Sequence, residues 1–392
     1  MKRKHALIMV LATVILAAVA FHSSTRKVPD KGIGGTSTGE TSTSVVRQMA
    51  IASATSLAIS QDEIGRKDAR RQLDLALAAV KGIATASEAR QVLLELRAYL
   101  ASLPPELASA VIADFLSDPS RDAPTRIEFS IGKTGFLDGH PTLRVALLDW
   151  LGQIHPAQAG VVAEKILATP THADEWAVSL RNYARASSDS ESREFLQAKT
   201  EELIRNQVWR ENPSVGFLEA FDILVHAHAT ESSALLGELV ADQTPEGKAI
   251  AHAAYLTLDR LTICEPVAMM KQLAGQPNLT KVRGPMVANM FARADLRDPE
   301  QRKLVRDYLL DPARRSGELD AFAGVYPNAS FAISKNLLTE TRTPTGEELA
   351  AHDAAVFEII KTWLKDPALE RVKPYLTTMH NRLAAFVHQA SR

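Results

Sequence analysis

The chain carries a single cysteine, Cys264, among 392 residues, so an internal disulfide is excluded and stability must come from packing. Excess charge of either sign is missing as well, with 45 Lys and Arg against 46 Asp and Glu. Phosphate-backbone binding needs clustered positive charge, and no nucleic-acid partner is expected. Strand-type alternation is scarce, and neither H-E-x-x-H nor C-x-x-C occurs, which removes the commonest local zinc signatures. The composition is 46% hydrophobic and 23% charged, close to the globular norm, so a substantial core can form.

The strongest positive signal lies at the start. Lys2, Arg3 and Lys4 precede an apolar run from Ala6 to Phe21, which closes on Ala18-Val19-Ala20. Basic residues stay on the cytoplasmic side, the apolar run enters lipid as a helix, and small residues at Ala18 and Ala20 suit a signal peptidase. Residues 1–20 are therefore expected to be a signal peptide or a membrane anchor. The run falls short of the roughly twenty residues that a spanning helix needs, which favours cleavage after Ala20 and delivery to the periplasm or beyond. Arg26 and Lys27, followed by a Ser/Thr/Gly-rich tether, suit retention as a single-pass transmembrane helix with the C-terminal domain outside. Cleavage removes three of the basic residues and leaves a net charge near −4.

Residues 21–44, including Gly32-Ile33-Gly34-Gly35, have almost nothing to bury and read as a flexible linker. From about Val45 onward the apolar spacing is helical. Val92, Leu96, Tyr99 and Leu100 share a face, as do Phe217, Phe221, Leu224 and His228, and Val356, Ile359, Ile360, Trp363 and Leu364. Leu-x-Asp-Pro occurs at Leu116–Pro119, Leu296–Pro299, Leu309–Pro312 and Leu364–Pro367. Asp accepts free N–H groups at a helix start and Pro fits the first helical position, so each copy is expected to end one helix and begin another. Helical pairs are expected to begin near Leu143, Ala173, Pro213, Glu246, Lys281 and Ser316, with a longer pair from Gly346 onward.

The layout resembles the HEAT-like α-solenoids, in architecture only and over roughly residues 141–392. Its best local example is Pro141-Thr142-Leu143-Arg144-Val145-Ala146-Leu147-Leu148-Asp149-Trp150-Leu151-Gly152, followed by a second helix from Ala159 to Leu167. That resemblance implies an all-α array of stacked helical hairpins with an extended binding surface. An irregular helical array is the other all-α arrangement open to the sequence. Before it lies an N-terminal helical region, 45–140, ending in a connector at 124–140. There the alternation of Ile127, Phe129 and Ile131 suits a short strand before a glycine-rich turn.

Several strings imitate chemistry. Gly132-Lys133-Thr134 lacks the earlier glycine of a phosphate loop, that place being Ile127. Gly35-Thr36-Ser37-Thr38-Gly39 spells a serine-hydrolase elbow inside a linker, without the strand and helix that elbow requires. His226 and His228 diverge if helical and cannot share one ion, whereas Asp222 and His226 can share a face and hydrogen bond. Cys264 has apolar neighbours and reads as a buried core thiol. Glu201-Glu202 and Glu347-Glu348 read as helix-surface charge, the latter near a helix N-terminus. Asn278 and Asn328 fit the glycan acceptor pattern, relevant only in a eukaryotic host.

No catalytic, cofactor-binding or metal-ligating residue is assigned on this basis. The functional expectation is an exported or membrane-tethered envelope protein acting as a non-enzymatic scaffold for a protein or peptide partner, touching membrane only through its N-terminal segment. The alternative is an exported hydrolase or lyase on envelope polysaccharide, with carboxylates drawn from separate helices and an aromatic platform such as Trp176 or Trp209.

Overall fold

The computed structural model describes residues 63–242, 244–329, 335–340 and 342–390. The chain divides into two units, Met1–Gln61 and Asp62–Arg392, and every described residue belongs to the second. The expected signal or anchor segment (1–20), the expected linker (21–44) with Gly35–Gly39, and residues 45–62 of the expected N-terminal helical region lie outside the described residues. Among the described residues no helix is long and apolar enough to cross a membrane.

The described unit is all-α apart from one small hairpin. Helix α1 (residues 63–81) buries Ala69, Leu73, Ala76 and Val80, a spacing that keeps one stripe facing inward. Helices α2 (Ala86–Ala101) and α3 (Pro105–Leu116) follow. Thr85 starts α2 by accepting the Glu88 N–H at 3.3 Å, as an N-cap should. Strands β1 (Ser130–Ile131) and β2 (Leu137–Gly139) pair antiparallel, and a Pro124–Thr142 bridge closes the connector's base. The alternation expected there is present: Ile127, Phe129 and Ile131 are buried while Glu128 and Ser130 are exposed.

The remaining helices are α4 (Leu143–Ile154), α5 (Pro156–Leu167), α6 (Ala173–Ala186), α7 (Ser190–Arg205) and three short ones, α8 (Gln207–Glu211), α9 (Val215–Glu219) and α10 (Asp222–His226). Then come α11 (Ser233–Ala241), α12 (Lys248–Cys264), α13 (Pro266–Ala274), α14 (Pro277–Phe291), α15 (Pro299–Leu310), α16 (Ser316–Val325), α17 (Gly346–Trp363) and α18 (Lys373–Ala390). The most extensive packing joins near neighbours in the chain: α5 with α6, α11 with α12, α17 with α18, and α14 with α16. Helices α4 and α6 depart from amphipathic design, α4 being buried at every position from Leu143 to Gly152 and α6 from Ala173 to Asn182. A helix enclosed all round must satisfy whatever polar groups it carries, and α4 carries Arg144 and Asp149.

Both are paired. Asp149, on α4, takes hydrogen bonds from Arg181 Nη1 (2.6 Å), the Leu137 N–H (3.0 Å) and Gln153 Nε2 (2.9 Å), and His140 Nε2 lies 3.2 Å away. Arg181, on α6, also donates to the Gly135 carbonyl (3.0 Å) and Asn182 Oδ1 (2.8 Å). Neither side chain of the Asp149–Arg181 pair is exposed at all. Burial alone would raise the Asp149 pKa, but the His140 hydrogen bond and the Arg181 charge more than offset it and hold it below the usual value. The network clamps the hairpin onto α4 and α6. Arg144 bonds Glu175 and caps the end of α3 through the Leu116 and Asp118 carbonyls.

Three sequence expectations need correction. The stretch from Phe217 to His228 is not one helix but α9 and α10, and His228 has φ 56°, outside the helical region. The start expected near Lys281 is displaced: Lys281 lies in the first of two helical segments that make up α14, and the second begins just after Arg283. Helix α14 kinks at Arg283 (φ −128°), because Pro285 has no N–H to offer the Lys281 carbonyl, and Arg315 Nη2 donates to it instead at 2.7 Å. The Leu-x-Asp-Pro copies share one local geometry but not one outcome. In all four the aspartate accepts the N–H two residues on at 2.9 Å: Ser120, Glu300, Ala313 and Ala368. Only Pro299 and Pro367 begin helices, the second a 3₁₀ turn over Pro367–Val372, while Pro119 and Pro312 sit in turns. The Asx turn is local, and whether a helix continues from it depends on what the next residues can bury.

Candidate functional site

Where α14 ends, the chain passes through Ala292-Arg293-Ala294-Asp295 and forms the floor of a cleft of about 510 Å³. Segment 326–328 fixes this floor: Asn328 donates its N–H to the Ala292 carbonyl (2.8 Å) and its amide to the Asn289 carbonyl (3.3 Å), and the Tyr326 hydroxyl donates to Ala294 O (3.2 Å). Tyr326 is wholly buried, and burial pushes its pKa well above the ordinary value. The opposite wall is the first half of α17, with Glu348, Leu349, His352 and Asp353. A capping box starts that helix, Thr345 accepting the Glu348 N–H at 3.2 Å and Glu348 accepting the Thr345 N–H at 2.8 Å.

Charge in the cleft is dense and mutually compensated. Arg293 forks onto Asp259 (2.5 and 2.7 Å), Arg297 forks onto Asp295 (2.9 and 2.7 Å), and Arg342 pairs with Glu348. His352 stands between two carboxylates, its Nδ1 3.1 Å from Asp353 and its Nε2 3.7 Å from Asp295. Burial would raise the Asp295 pKa, yet hydrogen bonds from the Arg297 side chain and backbone, with the charges of Arg297 and His352, leave it lowered. Bonding to Asp295 in turn raises that of Arg297. A smaller cleft of about 210 Å³ shares Arg293, Asp295 and Asn328 and reaches Thr262, Pro266 and Gln301. Among the described residues, no group of three His, Cys, Asp or Glu is placed to hold a metal ion.

The residues singled out from sequence fall elsewhere. Trp176 is completely buried, its indole N–H bonded to the Thr169 carbonyl (3.1 Å), so it offers no face to a sugar; Trp209, edge-on to it at 5.3 Å, is half-buried. Glu201 accepts from Ser232 and Arg205 (both 2.7 Å), and Glu202 from Lys199 (2.7 Å). Lys133 is exposed in the hairpin turn, and Asn278 is exposed near the start of α14. Two readings are overturned. Cys264 is exposed rather than buried, because α12 turns Leu258, Leu261 and Thr262 to the core and leaves its last residues outside. Asp222 spends its oxygens away from its own helix: Arg260 (2.7 Å), the Leu338 N–H (2.7 Å), the Thr339 N–H (3.1 Å) and the Thr339 hydroxyl. His226 is held below its usual pKa by burial, against the opposing charge of Asp222, and His228 pairs with Glu265 (2.7 Å).

Sequence reasoning passed over Asp295, Arg297, His352 and Asp353, which no short motif links. It also passed over the buried cations Arg144 and Arg181, although a lone charge inside an apolar helical run such as Leu143-Arg144-Val145-Ala146 is a visible signal of a buried partner. No protein-family model matches the chain, and neither a curated protein nor a solved structure shows significant similarity to it.

Proposed function

We propose that the protein is a non-enzymatic interaction scaffold of the cell envelope, a HEAT-like helical array, exported or membrane-tethered, that holds a protein or peptide partner in the cleft between the end of α14 and α17. The pairing pattern inside that cleft carries the reading. Arg293, Arg297, Arg342 and His352 each already face a carboxylate of their own chain. Self-neutralised charge makes a balanced hydrogen-bonding lining, suited to a polypeptide of mixed charge and poorly suited to polarising a single bond. The volume lies within the usual range of ligand clefts. The basic–apolar start of the chain supports the envelope address.

The test compares full-length protein with its Arg297→Glu variant as bait for envelope proteins. Binding lost with Arg297→Glu, and restored when purified partner and wild type are mixed, supports the scaffold. Equal retention by both baits removes the cleft from the reading, and recovery of the protein from the soluble cell interior removes the envelope.

One observation favours the alternative of a hydrolase or lyase on envelope polysaccharide: Asp295 and Asp353, from separate elements, flank His352 in a single cleft. Turnover of envelope glycan by wild type, abolished by Asp295→Asn and by Asp353→Asn, would replace the scaffold with that enzyme.

A further inference from the structure

The connector between Val325 and Gly346 exceeds the roughly 12–15 residues beyond which loops are uncommon in compact domains. Part of it, Lys335–Glu340, crosses to elements far earlier in the chain. Leu337 is completely buried and Leu338 packs partly against the core. Asp222, at the start of α10, accepts the consecutive N–H groups of Leu338 (2.7 Å) and Thr339 (3.1 Å) together with the Thr339 hydroxyl. Arg260 braces that carboxylate from α12 at 2.7 Å. At the hairpin, Gly135 has φ 76°, and a Cβ there would come within 2.3 Å of the Leu337 carbonyl, so the strap lies directly on the backbone. Asn336 closes the segment into a turn by donating to the Thr339 carbonyl at 3.0 Å.

These contacts differ from the rest of the unit, where helices mainly pack on their neighbours in sequence. An apolar side chain seated in a pocket, next to a carboxylate that takes two successive amides and a hydroxyl, is how a peptide ligand is held. We infer that the groove formed by the hairpin, Asp222 and Arg260 is a peptide-recognition site occupied in cis by Lys335–Glu340, and that its partner in trans is a polypeptide turn with two apolar residues followed by Thr or Ser. The buried apolar residue supplies affinity. The hydroxyl and the paired amides supply register, because Asp222 Oδ2 takes the two successive N–H groups while Oδ1 takes the Thr339 hydroxyl beside Arg260. The site is separate from the cleft at α14 and α17 and does not depend on its function.

The probe is a fluorescein-labelled peptide, Lys-Asn-Leu-Leu-Thr-Glu, titrated into the full chain and into a Leu337→Ala/Thr339→Ala double variant. A tethered strap competes at millimolar effective concentration. Emptying the groove is therefore expected to tighten peptide binding about tenfold or more, and adding Asp222→Asn to the double variant to weaken it again by a similar factor. A cooperatively folded double variant that binds the peptide no better than wild type overturns the inference, as does binding indifferent to Asp222→Asn. Should the double variant fail to fold, hydrogen exchange on wild type decides: saturating peptide is expected to speed exchange at Leu338 and Thr339, and unchanged protection at both overturns the proposal.

Discussion

Replacing Arg181 by Met would leave the Asp149 carboxylate inside the molecule without its cation, with only Leu137 N–H, His140 and Gln153 against it. Both members of the pair are fully excluded from water, so no solvent screening softens the loss. Removing one partner of a buried pair costs about 3–5 kcal/mol, a large share of the roughly 5–15 kcal/mol that holds a domain folded. Asp149→Asn is expected to cost about as much, because Arg181 then keeps only neutral partners, the Gly135 carbonyl and Asn182. The Asp149→Asn/Arg181→Met double variant should cost less than the two singles added, by about 2 kcal/mol or more, since neither charge is then stranded. Urea unfolding followed by far-ultraviolet circular dichroism measures all three variants, and hydrogen exchange at Leu137, whose N–H bonds Asp149, reports the hairpin separately. The pH dependence has a definite sign. The Asp149 pKa is lowered in the folded state, so its contribution is complete above the unfolded value of about 3.9 and is lost as pH falls through the folded one. Single variants costing under about 1 kcal/mol, or strictly additive ones, would refute the claim that this pair clamps the hairpin.

Gly135→Ala should destabilise the protein by about 1–3 kcal/mol through the left-handed backbone alone, with further loss from collision with the Leu337 carbonyl, read as a lower thermal midpoint. Glu219 has its carboxyl pushed up to about 7, by burial first and by the Asp222 charge second, with Arg260 opposing. The folded state therefore holds a proton that the unfolded state has released, and stability should fall as pH rises from about 4.3 toward 7. Glu219→Gln should flatten that slope and leave the variant more stable than wild type above neutrality, as chemical unfolding at several pH values will tell.

Local chemistry was legible wherever it needed only neighbours. Thr345-Gly346-Glu347-Glu348 marked a helix start, and the capping box is there. Ile127, Phe129 and Ile131 alternated, and all three are buried. Leu-x-Asp-Pro was expected to open a helix at every copy; the aspartate accepts the N–H two residues on in all four, but only Pro299 and Pro367 begin helices, since continuation depends on apolar partners elsewhere. Cys264 misled because it ends α12, where the last residues leave the core: Leu261 and Thr262 are buried while Ile263 and Cys264 are exposed. Asp222 misled because its partners at 338 and 339 are remote in the chain, and a helical wheel shows only the partners on one helix.

Sequence alone determined that the unit would be helical, where some of its helices would begin, among them those at Leu143, Ala173, Pro299, Ser316 and Gly346, and that no disulfide would hold it, because periodicity, caps and cysteine count act over a few residues. Tertiary structure alone decided which charges meet. Asp149 with Arg181, Asp295 with His352, and Asp222 with the strap are brought together by packing between elements, and the free energy of each depends on burial that only the folded chain creates.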